Sequence, residues 1–126
     1  MKTTKLFVSF LLFAALGTSA FAIGAIAVGD TDPKAQDAST EQHFVATGHT
    51  SYDEAKEVAL KQCLAKSLYF CQVALWYSSC GAYAKSEKNS GNAWANTAEE
   101  AKRQAVANCG KDCKIVVVQC EGGKHV

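Results

Sequence analysis

The chain has 126 residues and a formal charge of +1, with six cysteines and a single proline. That length suits one domain, and the near-neutral balance lacks the electrostatic footprint by which nucleic acid or an anionic lipid surface is bound. Six cysteines in so short a chain point to structural disulfides and to an oxidising compartment.

Lys2 and Lys5 make a positive start, Leu6 to Leu16 is almost wholly apolar, and Ala20-Phe21-Ala22 fits a small-x-small cleavage site. This is the pattern of a secretory signal peptide over residues 1–22. The apolar run is short of the roughly 20 residues a membrane span needs. Cleavage after Ala22 leaves an exported chain, periplasmic or secreted, with no membrane span and a charge of −1. No cysteine follows the site, so a lipid anchor has no attachment point.

From residue 23 the chain reads as a short apolar strand, Ile23 to Gly29, bounded by Gly-Asp. Asp30 to Gln42 is polar, carries Pro33, shows no apolar period and is expected to be a surface loop, long for so small a domain. His43 to Thr47 is a second strand. A helix then starts at a capping box, with the Ser51 hydroxyl taking a backbone N–H and Glu54 reaching back. Ala55, Val58, Ala59 and Cys63 fall on one face at helical spacing. The stripe is small-sided, which predicts close and crowded packing against a sheet. Val73 to Tyr77 follows as a strand.

The same unit then recurs. An offset of roughly 46 residues carries Ser51 onto Thr97, Glu54 onto Glu100, Ala55 onto Ala101, Ala59 onto Ala105 and Cys63 onto Cys109. Gly81-Ala82-Tyr83-Ala84 echoes Gly24-Ala25-Ile26-Ala27, and Ala93 to Asn96 stands where Phe44 to Thr47 stood. Ile115 to Val118 is the closing strand. The expectation is one α+β domain over residues 23–126, built from two β-β-α-β repeats with pseudo-twofold symmetry (about 23–80 and 81–120), ending in a loose tail from Glu121.

Alternation along a strand lets parity be used as an argument. Without a bulge, Cys71, Val73, Leu75 and Tyr77 share one face and Ala74, Trp76, Ser78 and Cys80 the other. In the second copy Cys113, Ile115 and Val117 oppose Val116, Val118 and Cys120. The first cysteine of each strand then faces its helix and the second faces away. Copy symmetry and short spacing give the pairs Cys63–Cys71 and Cys109–Cys113. Cys80 and Cys120 remain, at strand ends on the far face, as a bridge expected to join the two halves.

The order of an early A-I-A strand, a helix ending A-L-x-x-C, a C-x-V-x-L-W strand, Cys80-Gly81-Ala82-Tyr83-Ala84, a Trp strand and a second A-x-x-x-A-x-x-x-C helix resembles a family of small exported bacterial proteins. That family is catalogued only as a domain of unknown function, with six cysteines and the C-G-A-x-A segment as its clearest mark. The resemblance covers nearly the whole exported chain. It implies a secreted or periplasmic protein and supplies no catalytic residues. The Asp30 to Gln42 loop is longer than the family usually carries.

No nucleophile elbow, zinc-protease helix or phosphate loop is present, and neither catalytic residues nor a cofactor is expected. His43 and His49, an even number of residues apart, and His125 on the tail do not make the convergent set that a zinc site uses. Trp76 and Trp94 are expected in the core. Tyr69 and Phe70 have no periodic reason to be buried and sit in a loop between Cys63 and Cys71 pinned by a predicted bridge, as an interface anchor would. The leading expectation is a binding module for a protein in the envelope or outside the cell, as an inhibitor or immunity-type factor. A passive envelope component and a small hydrolase using His43 with Glu41 are the alternatives.

Overall fold

The computed structural model describes residues 22–121. The first half comprises β1 (Ile23–Asp30), β2 (Glu41–His49), helix α1 (Tyr52–Ala65) and β3 (Tyr69–Tyr77). The second comprises β4 (Cys80–Lys85), β5 (Ser90–Ala95), helix α2 (Ala98–Cys109) and β6 (Lys114–Cys120). Each half is an antiparallel three-stranded sheet with its first strand in the middle, in the orders β2-β1-β3 and β5-β4-β6. The chain is thus α+β, with the β-β-α-β unit twice. The halves meet at Ser78–Ser79, because Cys80 is already the first residue of β4.

The expected leader falls, but for Ala22, outside the described residues, and so does the tail from residue 122. Glu121, expected to begin that loose tail, is only 4 % exposed. Among the described residues no helix is long and apolar enough to cross a membrane.

Both helices start at the expected caps, but only the hydroxyl half of each capping box forms: the Glu54 carboxylate turns to His49, and that of Glu100 to Arg103 and Gln104. The Ser51 and Thr97 hydroxyls accept the backbone N–H groups of Glu54 and Glu100 at 3.1 and 3.2 Å. Asp53, Glu54, Glu99 and Glu100 complement the positive end of each helix dipole. The alanine stripes then seat each helix on its own sheet. Ala55 and Ala59 pack on Ala25, Ala27 and Ala46, and Ala101 and Ala105 pack on Ala82, Ala84, Ala93 and Ala95. A third apolar layer, Ile26, Val28, Tyr77 and Tyr83, lies between the two sheets. The order of layers is helix, sheet, sheet, helix.

Tyr77 fixes that central layer. A Cβ on Gly24 would lie 2.6 Å from the Tyr77 ring, and one on Gly81 would lie 2.4 Å from it. The ring therefore occupies space that glycine leaves on the middle strand of each sheet. Gly29 and Gly91 have a different use: a Cβ there would meet Cys63 Sγ at 2.3 Å and the Cys109 backbone nitrogen at 2.4 Å. They let each helix end lie down on its sheet.

The strand parity expected from simple alternation does not hold, because both closing strands are bulged at corresponding places. Leu75 and Val73 face Ile26 and Ala27, leaving Ala74 extra. Val117 and Ile115 face Tyr83 and Ala84, leaving Val116 extra. An extra residue reverses the alternation beyond it. Leu75 and Tyr77 accordingly point between the sheets, while Val73 and Trp76 stand on the α1 side. In the second half Ile115 shares the α2 side with Val118 and Cys120, and Val117 points between the sheets.

Three disulfides are present, Cys63–Cys71, Cys109–Cys113 and Cys80–Cys120. The first ties the last turn of α1 to β3, and the second ties the end of α2 to the residue just before β6. The third departs from expectation in two respects. Cys80 and Cys120 are directly paired residues of β4 and β6, so their bridge lies within the second sheet and does not join the halves. They also belong to the α2 side, not the far face. In the first half Ile23 occupies the position that corresponds to Cys80.

Among the described residues, the halves are held instead by the central layer and by four hydrogen bonds. Ala38 N donates to Lys88 O at 3.2 Å, Lys85 Nζ to Glu41 O at 2.7 Å, Gly48 N to Glu121 Oε1 at 2.6 Å, and the Tyr83 hydroxyl to Glu41 Oε1. Gly81→Ala drives a methyl into the Tyr77 ring, and thermal unfolding should show a loss of about 1–3 kcal/mol, the usual cost of overpacking. Tyr77→Leu in the same chain should recover part of it.

Candidate binding site

β3 opens with a second bulge. Val28 faces Gln72 and Asp30 faces Tyr69, so Phe70 and Cys71 together oppose Gly29. Cys71 must turn inward to reach Cys63, which sits above the bare backbone of Gly29. Phe70 is thereby turned outward. It is 60 % exposed and has φ +59°, a left-handed backbone that a bulky L-residue seldom adopts. Tyr69, also exposed, lies beside it with ring centroids 6.5 Å apart. The two residues expected in a loop are therefore the first of a strand, anchored by a disulfide one position away.

Phe70 borders an open cleft of about 520 Å³ formed where the halves meet, with Asp37 and Ala38 on one side and Lys88 and Asn108 on the other. The polar loop expected from the sequence supplies the first wall. It is tied down by Thr31 N to Thr40 O at 3.3 Å and Lys34 N to Asp32 Oδ1 at 2.8 Å. Asp37 caps a 3-10 turn at Ala38–Thr40 by accepting from Ser39 N and Oγ. Those hydrogen bonds, with help from Lys88, hold its carboxyl below the ordinary range. Glu41 and Asp30 line the cleft's inner side.

Behind them lies a polar cluster of the two halves. Burial and then the Glu41 hydrogen bond push the Tyr83 phenol far above its usual pKa. His43 stands with its ring 5.8 Å from that of Tyr83, and burial followed by nearby Lys85 lowers its pKa. The two histidines do not share a face. A register shift near the end of β2, where Gly48 takes φ +73°, separates them. His49 instead meets Glu54 of α1 at 2.7 Å. Among the described residues no three His, Cys, Asp or Glu side chains converge as a metal site would require.

The tryptophans depart from the expected core. Trp76 is 43 % and Trp94 60 % exposed. The bulge at Ala74 places Trp76 on the α1 side, where its ring lies 4.1 Å from that of Tyr52. Trp94 lies on edge strand β5, and its exposure has no signal in the sequence, because its neighbours Ala93 and Ala95 are buried as a strand pattern requires.

Two outcomes follow. Phe70→Gly should be more stable than Phe70→Ala by about 0.5–1 kcal/mol in denaturant unfolding, since only the first removes the left-handed cost. His43 carries its folded pKa below the unfolded 6.5, so the unfolded chain takes up the proton first on acidification. Its contribution is complete above about pH 6.5 and is lost as pH falls below that value. Stability measured from pH 8 to 5 should decline, and His43→Gln should flatten the decline.

Residues 23–120 match the family described as Domain of unknown function (DUF4189). Neither a curated protein nor a solved structure matches the sequence. The match spans both sheets, both helices and all six cysteines, and the chain belongs to the DUF4189 family.

Proposed function

We propose that this chain is an exported binding module that engages another protein in the envelope or outside the cell, in the manner of an inhibitor or immunity-type factor. The observation that carries the reading is Phe70. An exposed phenylalanine on a left-handed backbone costs stability twice, through apolar exposure and through strain. Residues held this way are found where the strained position serves recognition. The neighbouring disulfide restricts the motion of the corner, so little ordering remains to oppose association. Tyr69 enlarges the apolar contact, and the loop at Asp37 gives a polar rim around it, the usual arrangement of an anchor at the centre of an interface.

Two features agree with export. All six cysteines are bridged, as expected of a small domain outside the reducing cytoplasm, and the first 22 residues read as a signal peptide. Glu41 and His43, the pair a hydrolase would use, are both engaged with Tyr83 of the other half.

Affinity capture with the oxidised protein, from periplasmic extract and culture medium of the producing cell, tests the reading. A partner should be retained by wild type and by Trp76→Ala. The Tyr69→Ala, Phe70→Ala double variant should bind it at least 30-fold more weakly, the size of a hot-spot loss of about 2 kcal/mol. Capture that is equal for the double variant and wild type would remove this corner from the interface.

A further inference from the structure

A second surface adjoins the Phe70 cleft at Asn108 and extends from there toward the start of α2. It is a groove of about 820 Å³ that runs along the free edge of β5, with residues of α2 on one side of that edge. On one side lie Asn92 and Trp94, which alternation puts on the face of β5 turned away from α2, with Asn96 just past the strand end, and Leu75 of β3 also lines the groove. On the other lie Glu100, Gln104 and Asn108, one residue per turn of α2. Each row extends about 12 Å, eight residue steps of helix or four of strand, and the outer edge of β5 lies between them.

The chemistry of these walls is specific. Asn108 Nδ2 donates to Asn92 O at 2.9 Å and Gln104 Nε2 to Glu100 Oε2 at 2.8 Å. Each amide is thus held by one donor while its carbonyl oxygen remains an acceptor. Asn96 is exposed. Glu100, the one carboxylate of the groove, is paired with Arg103, and that pairing, together with Gln104, lowers its pKa. The groove is therefore rich in neutral donors and acceptors and carries no unpaired charge. Trp94 adds a broad flat apolar face, 60 % exposed.

We propose that this groove binds a neutral oligosaccharide. A pyranose ring has one face of axial C–H bonds and a rim of hydroxyls. The face needs an aromatic plane, and the rim needs groups that donate and accept in turn, which amides do and charged side chains do not. A cationic or anionic ligand finds no free opposite charge in the groove. A proline-rich peptide uses a groove lined by several aromatic rings, and Trp94 is the one aromatic residue on these walls. The proposal is independent of the Phe70 interface, and either can fail alone.

The two tryptophans make the test direct. Intrinsic fluorescence of the oxidised full chain is titrated with β-1,4-linked N-acetylglucosamine hexamer and, separately, with cellohexaose, up to 10 mM. A saturable change with half-saturation below about 1 mM, for either sugar, supports the proposal when Trp76→Ala retains it and Trp94→Ala weakens binding at least tenfold by calorimetry. Response to the first sugar alone assigns the amide row to acetamido groups; response to both assigns it to hydroxyls. Asn96→Ala, at an exposed position, should weaken binding severalfold without moving the melting temperature. No saturable change with either sugar overturns the proposal. So does equal binding by Trp94→Ala, or saturation of the groove by a proline-rich peptide when neither sugar binds.

Discussion

The phenol ring of Tyr77 is the contact on which the assembly of the two halves depends. It comes from the last residue of the first half and lies against the middle strand of both sheets, where Gly24 and Gly81 leave the backbone bare. A side chain at either glycine would collide with the ring, and a smaller residue at 77 would leave a cavity between the sheets. Its hydroxyl has no hydrogen-bond partner among the described residues, and burial, together with Glu121, pushes its pKa far up. Packing, not polar bonding, therefore holds the ring in place.

That contact gives a physical meaning to the segment Cys80-Gly81-Ala82-Tyr83-Ala84. Cys80 is bridged to Cys120 across the sheet. Gly81 admits Tyr77, Ala82 and Ala84 lie fully buried beneath α2, and Tyr83 reaches between the sheets to Glu41. Gly24-Ala25-Ile26-Ala27 repeats the scheme with Ile26 where Tyr83 stands. That aromatic–aliphatic exchange gives the second half the hydroxyl that Glu41 of the first half accepts.

The halves, caps and short-range cysteine pairs were readable because each rests on local spacing. A capping box spans four residues, and Cys109 and Cys113 are separated by three. Facing along β3 and β6 was not readable. A bulge at Ala74 or Val116 leaves no mark in a run of β-branched and aliphatic residues, yet it reverses every side chain beyond it. The exposure of Trp76 and the side chosen by Cys120 both follow from that one event. The candidate site was partly legible: the aperiodic Tyr69–Phe70 pair stood out, but its turn outward depends on Gly29, which lies far away in the chain. The Trp94 groove depends on β5 being an edge strand, and strand order is a long-range fact.

No sulfur–sulfur bond crosses from one half to the other, and only Ser78 and Ser79 join them. Beyond that linker, what unites the halves is non-covalent: the Tyr77 ring, its apolar neighbours and a few hydrogen bonds. None of these contacts requires that the two halves belong to the same molecule. Two molecules can therefore exchange halves with every disulfide intact, and this serine pair is the place where such an intertwined dimer would be linked.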